Sequence, residues 1–182
     1  MNLSFQPLGN HDRAAFSCGE NSIDDFLKRY AAQRRQRHIG VPIVAVDADT
    51  DPQQIVGYYF MLPHEFRGTE LSDPLRKGTR VGNLSAVPAA MLAQLGVSLA
   101  FQGKGIGKLL VRHALHRACS IADTWGCVAV ITDPLNERAR ELYTGFDFVP
   151  IRDGTQRMIV PIKTLISAFK AGNADRPAPR RR

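Results

Sequence analysis

Cysteine is scarce and scattered in this chain. Cys18, Cys119 and Cys127 are its only three. The number is odd and no pair has CxxC spacing, which argues against both a disulfide framework and a zinc site. Reduced thiols suit a cytoplasmic protein. Long apolar runs are missing as well. No stretch approaches the ~20 residues of a membrane span, and Met1 to Asn10 lacks the basic-then-apolar order of a secretory leader. Acidic residues are outnumbered: 24 Lys and Arg against 17 Asp and Glu leave a net charge of +7. That balance favours polyanionic partners. The chain as a whole is 44% hydrophobic over 182 residues, enough for one real core. The end, Arg176-Pro177-Ala178-Pro179-Arg180-Arg181-Arg182, has nothing to build a core from. The expected division is a folded domain over 1–165 and a basic, flexible tail over 166–182.

What is present is organised around Gln102-Gly103-Lys104-Gly105-Ile106-Gly107-Lys108. Three glycines at alternate positions free the backbone for conformations closed to other residues. Successive N–H groups can then converge at a helix N-terminus, which suits a phosphate or pyrophosphate. Lys104 and Lys108 agree in sign. A Walker loop would need glycine at 102 and Ser or Thr at 109, where Gln102 and Leu109 stand. A Rossmann fingerprint would need glycine at 108, where Lys108 stands.

The surrounding pattern is mixed. Strands are expected over Leu3 to Leu8, Gly40 to Val46, Gln54 to Leu62, Ala89 to Val97, Gly126 to Thr132, from Phe146, and over Arg157 to Ile162. The polar stretch Asp47 to Gln53 reads as a hairpin connection, and Pro63 to Gly82 as a loop with room for a short helix. Ile23, Phe26, Leu27 and Tyr30 mark a first helix, capped by Asn21 or Ser22. Leu110, Val111, Ala114, Ala118, Ile121 and Ala122 mark a long amphipathic helix after the glycine loop. Gly126 to Thr132 is continuously apolar, as in a buried parallel strand, which makes strand, loop, helix, strand a βαβ unit. Asn136 caps a helix bearing Ala139, Leu142, Tyr143 and Phe146, with Gly145 as its stop. The first helix ends in Lys28, Arg29, Arg34, Arg35 and Arg37, five cations in ten residues. That is more than a helix dipole needs and suggests a phosphate-contacting face.

Gln102, Gly105 and Gly107 fit Gln/Arg-x-x-Gly-x-Gly/Ala. This resembles the acyl-CoA pyrophosphate loop of the GNAT N-acetyltransferase superfamily. Asn136-x-x-Ala139-x-x-x-Tyr143 before Gly145-Phe146 resembles the superfamily segment whose Asn contacts the CoA arm and whose Tyr is the general acid. Phe16-x-Cys18-Gly19 with Asp25-Phe26-Leu27, the Arg-rich helix and Gly57-Tyr58-Tyr59 resembles one branch, the toxins of toxin–antitoxin pairs that acetylate aminoacyl-tRNA. The resemblance runs from about Leu3 to Ile162. It implies an α/β (α+β layered) GNAT fold: a mixed, mostly antiparallel sheet flanked by helices around a central β-α-β acetyl-CoA unit. It implies acetyl-CoA as cosubstrate with no metal, bound by Leu95, Val97, Gln102, Gly103, Lys104, Gly105, Ile106, Gly107, Lys108 and Asn136. It implies aminoacyl-tRNA as acceptor, a ribbon-helix-helix antitoxin and a homodimer. The chain departs from the branch at Gln94-Leu95-Gly96-Val97-Ser98, where an Arg and an Asp are usual. It also departs at Phe101, in place of Trp, and at Gly40-Val41, in place of Ser-Arg.

The chemistry can be stated from residues alone. A thioester is attacked by a neutral amine, and backbone N–H groups of the strand before the loop, at Leu95 and Val97, can stabilise the charge on its oxygen. The departing thiolate needs a proton, which Tyr143 holds at neutral pH. No general base stands out beyond Glu65 or Glu70 of the Pro63–Gly82 stretch. An α-amine, titrating at about 7.7–8.0, needs less help than a lysine at about 10.4. Two other functions stay open: acetylation of a protein or small-molecule amine, and RNA or acyl-CoA binding without turnover.

Overall fold

The computed structural model describes residues 2–50 and 53–174. The hairpin tip at Asp51 and Pro52, and the terminal run from Arg176, lie outside the described residues. Seven strands form one sheet in the order β1-β2-β3-β4-β5-β7-β6. They are β1 Leu3–Pro7, β2 Val41–Asp47, β3 Gln54–Phe66, β4 Val87–Val97, β5 Ala129–Thr132, β6 Val149–Pro150 and β7 Met158–Pro161. Only β4 and β5 are parallel. The helix α4 (Ile106–Ile121) connects them, so the expected βαβ unit sits at the centre of an otherwise antiparallel sheet.

Both faces of the sheet are covered, and strand alternation shows it. In β2, Ile43 and Ala45 pack towards α4 with Leu110 and Leu115. Val44 and Val46 pack on the other side with Leu27 and Ala31. That second side is covered by α1 (Asn21–Asp25), a π-helical turn at Phe26–Tyr30 and α2 (Ala31–Gln36). Glu20 takes the capping position before α1, so Asn21 and Ser22 lie inside the helix.

Asp24 fixes the segment ahead of α1. Its carboxylate is 8% exposed and accepts the Cys18 N–H at 2.8 Å and the Ser17 hydroxyl at 3.0 Å. Burial alone would raise this carboxyl, but the bonds from Cys18 and Ser17, with Lys28 nearby, hold it below the usual range. Stability from a lowered carboxyl is present above the unfolded value and is lost as pH falls through the folded one. Asp24→Asn should therefore cost roughly 1.5–3 kcal/mol in urea unfolding at pH 7. The gap to the parent chain should close below about pH 4.

Four elements differ from expectation. β3 continues through Pro63 to Phe66, where a loop is expected, followed by a short 3-10 turn and α3 (Asp73–Thr79). Pro63 is tolerated because its ring nitrogen points away from β4. The strand expected from Phe146 begins only at Val149. Phe146 and Phe148 N–H groups both turn back to the Tyr143 carbonyl, and Asp147 takes the left-handed conformation at φ 63°. Gly145 stays right-handed at φ −64°, so Asp147 rather than Gly145 reverses the chain. Finally, α6 (Ile162–Ala174) spans the point where the domain was expected to end. Leu165, Ile166 and Phe169 lie on one stripe of it and pack onto the α4 core.

A candidate acyl-carrier groove

β4 and β5 pair over three positions only, from Ala89–Ala129 to Met91–Ile131. β5 then stops at Thr132, and β4 runs on to Val97 paired with β3 only. A bulge opens the split. Phe60 faces Gln94 and Met61 faces Leu92, so Ala93 has no partner on β3. The extra residue bends β4 away from its parallel neighbour. The Thr132 hydroxyl donates to the Leu92 carbonyl at 2.9 Å and closes the ladder there.

The ladder also fixes which backbone groups the split exposes. Ser98 donates back to Val56 on the β3 side. With alternation, Gly96 and Gln94 also face β3, and the N–H and C=O of Leu95 and Val97 face the opening. The Val97 carbonyl does accept a bond from that side, from Gln102 Nε2 at 3.0 Å.

A groove of about 490 Å³ fills the split. One end is the glycine loop. Gly103 and Gly105 are left-handed at φ 75° and 80°, with no atom within 4 Å of where a side chain would begin. The loop leads directly into α4, whose first N–H groups have no partner of their own. The lining includes Gly103, Gly105, Ile106, Gly107 and Lys108 but not Lys104. Lys104 folds back instead, its Nζ on the Ala100 carbonyl at 3.1 Å and over the Phe101 ring. Gln102 also works inward. Its amide nitrogen ties Cys18 and Val97 carbonyls together, and its oxygen accepts from Arg138 at 3.4 Å. It shapes the loop rather than offering a free side chain.

Asn136 caps α5 (Glu137–Thr144): its Oδ1 accepts the Ala139 N–H at 3.0 Å. Its amide nitrogen donates across the groove to Glu20 at 3.3 Å. Two turns on, Tyr143 forms part of the groove floor, 6% exposed and packed on Phe148. Burial raises its phenol above the ordinary value, and the Thr132 hydroxyl beside it offsets part of that rise. The phenol is therefore a firmly protonated donor.

Several lining groups carry no clear sequence signal. Arg138 follows the Asn136 cap by two residues and adds a cation to the rim. Glu20 and Asp133 are the two carboxylates of the lining, and both are engaged. Asp133 takes two 2.8 Å bonds from Arg157. Neither Glu65 nor Glu70 lines the groove. Cys18 lines it with a thiol pushed up to about 12 by burial and by its bond to Asp24, so it is no nucleophile.

The five cations lie apart from the groove. Arg29 pairs with Asp25 at 3.4 Å, Arg35 bonds the Leu8 carbonyl, and Lys28 is half-buried beside Asp24. Arg34 and Arg37 are exposed and form no ion pair among the described residues. They make the exposed C-terminal end of α2 basic.

A parallel pair opened by a bulge, an anion cradle at one end and a buried phenol at the bottom define an acyltransferase fed by a pyrophosphate-bearing thioester. Residues 7–148 match the Acetyltransferase (GNAT) family, and the chain belongs to it. The glycine cradle and the bare β4 edge fit acetyl-CoA, the family's acetyl donor. A probable toxin TacT of Sinorhizobium fredii (strain NBRC 101917 / NGR234) is 30% identical over 171 residues, covering 89% of this chain and 92% of that protein. A tRNA-acetylating toxin of Mycobacterium tuberculosis (strain ATCC 25618 / H37Rv) is 30% identical over 138 residues, covering 75% and 78%. The crystal structure of a KacT mutant superposes with a TM-score of 0.84 at 22% identity, covering 93% of this chain and all of that one.

Proposed function

We propose that this acetyltransferase is a toxin that acetylates the α-amino group of aminoacyl-tRNA and so blocks translation. The observation that carries the reading is the groove: a buried phenol on its floor and no idle carboxylate in its lining. Acetyl-CoA, when bound, supplies an acetyl group already activated as a thioester. The chain's own groups do the rest. Loop N–H groups at Gly103 to Gly107, with Lys108 and Arg138, hold the pyrophosphate end. The Leu95 and Val97 N–H groups face the position where negative charge collects. Tyr143 holds the proton that the departing sulfur takes. An amine that is partly neutral at pH 7 needs no strong base, and the groove provides none: Glu20 and Asp133 are both hydrogen-bonded. This favours an α-amine over a lysine. The basic C-terminal end of α2, with Arg34 and Arg37, matches an RNA backbone. Relatives named as toxins support the same reading.

A ribbon-helix-helix antitoxin, a homodimer and a cytoplasmic site of action complete the proposal. Among the described residues no helix is long and apolar enough to cross a membrane. The test is to incubate the protein with radiolabelled acetyl-CoA and separately charged tRNAs. Label should appear on one or a few aminoacyl-tRNAs and vanish when the ester bond is hydrolysed before incubation. Label only on uncharged tRNA, protein or free amines would reject the acceptor.

A further inference from the structure

A second cleft lies at the other end of the sheet, with a volume of about 540 Å³. Three independent features meet there. The first is an unpaired strand edge. β2 begins at Val41, opposite Met61, whereas β3 runs on to Phe66 with β4 as its sole neighbour. Val128 donates to the Pro88 carbonyl, so Pro88 faces β5. Glu65 opposite Pro88, and Pro63 opposite Ala90, therefore face away from β4. The edge presents the carbonyls of Pro63 and Glu65 with the Glu65 N–H between them. Among the described residues no hydrogen bond reaches these groups.

The second feature is apolar surface beside that edge. Trp125 stands in a π-helical turn at Ala122–Gly126 and is 89% exposed. Ile121 and Val41 are also exposed, and all three line the cleft with Met61 and Leu62. Large apolar side chains clustered in the open mark an interaction surface more often than a solvated one. The third feature is charge. Arg35, His38, His64 and Arg117 line the cleft and none of its lining residues is acidic; the carboxylate nearest to it along the edge, Glu65, lies outside the lining and is exposed to solvent.

We propose that this cleft receives an extended, acidic segment of a partner protein, which adds to β3 as a strand. Strand addition uses main-chain bonds for affinity and pockets for alternate side chains. The Pro63 carbonyl, Glu65 N–H and Glu65 carbonyl supply the bonds. Trp125, Ile121 and Met61 form the apolar pocket. The basic wall selects acidic residues in the segment. A second copy of this chain would bring the same cationic wall against itself, in a molecule of net charge +7. Pro63 removes one donor from the edge, which discourages indiscriminate pairing while leaving three groups in register for a matched strand.

The single tryptophan makes the test direct. The probe is a nine-residue peptide with valine at alternate central positions and aspartate at both ends, titrated against the full chain. Trp125 emission should shift to shorter wavelength and saturate. A matching peptide with lysine at its ends should bind about ten-fold more weakly or worse, as should the aspartate peptide with Arg117→Glu. Glu65→Pro, which removes the edge donor, should weaken it too. Both substitutions lie outside the acetyl-CoA groove, so transfer activity reports that each variant is folded. Absence of a saturable shift, equal binding of the two peptides, or binding unchanged in both variants overturns the proposal. The same shift produced by an oligouridylate instead of the peptide reassigns the cleft to RNA. The shift produced by protein concentration alone, with a dimer in sedimentation, reassigns it to a second copy. Either outcome rejects the strand partner.

Discussion

Tyr143→Phe is expected to lower kcat for acetyl transfer by about 10²–10⁴-fold, the usual worth of a positioned general acid. The fold and the acetyl-CoA KM should change little. The ring packs against Phe148 at a centroid distance of 5.4 Å, and phenylalanine keeps that contact. Only the hydroxyl beside Thr132 is lost. Because the effect belongs to the departing group, it should appear in kcat and in kcat/KM alike. The pH profile separates this role from a packing role. Burial lifts the Tyr143 phenol above its ordinary value, so the acid stays protonated through the whole working range. The parent enzyme should gain rate as the acceptor amine loses its proton, between about pH 7 and 8. It should show no falling limb below about pH 10. The variant should keep the rising limb at a much lower height. Growth arrest on expression should disappear with the same substitution. A variant that retains near-parental turnover would place the proton source elsewhere.

The parts of this site that were legible are those with a local chemical reason. Alternating glycines before an amphipathic stripe mark the cradle and α4. A continuous apolar run marks β5. Asn136 and Tyr143 are seven residues apart, which puts cap and phenol on one side of a short helix. The parts that were not legible depend on partners distant in sequence. Ala93 becomes a bulge only because Phe60 and Met61 pair with Gln94 and Leu92; nothing in its neighbours announces it. Gln102 matches a binding motif, yet its amide is used by the Cys18 and Val97 carbonyls. Lys104 has the right charge, but its ammonium sits on the Ala100 carbonyl and over the Phe101 ring and does not line the groove. Pro63 reads as a breaker until β4 shows that the missing donor points outward. In α6 the apolar stripe is short and ends in polar sequence, so its packing against α4 decides it rather than its own periodicity.

Gly105→Glu should raise the acetyl-CoA KM by about 30- to 150-fold, equivalent to ~2–3 kcal/mol of lost anion binding. Two effects combine. Gly105 caps α4 at φ 80°, a left-handed conformation that costs a side-chain-bearing residue ~1–2 kcal/mol. The carboxylate also faces the cradle that the helix N-terminus and Lys108 make positive. Steric crowding plays no part, because the space around Gly105 is open. Gly105→Ala isolates the conformational share and should shift KM by only about five-fold to thirty-fold. The excess in the glutamate variant should shrink as salt is raised, since it is electrostatic and exposed. At saturating acetyl-CoA both variants should approach parental kcat, because neither substitution alters the Tyr143 phenol or its packing on Phe148. The two substitutions thus separate binding at the loop from chemistry at the phenol. A KM left unchanged by Gly105→Glu would mean that the pyrophosphate does not lie on this helix terminus, and the orientation assigned to the whole groove would have to be reversed.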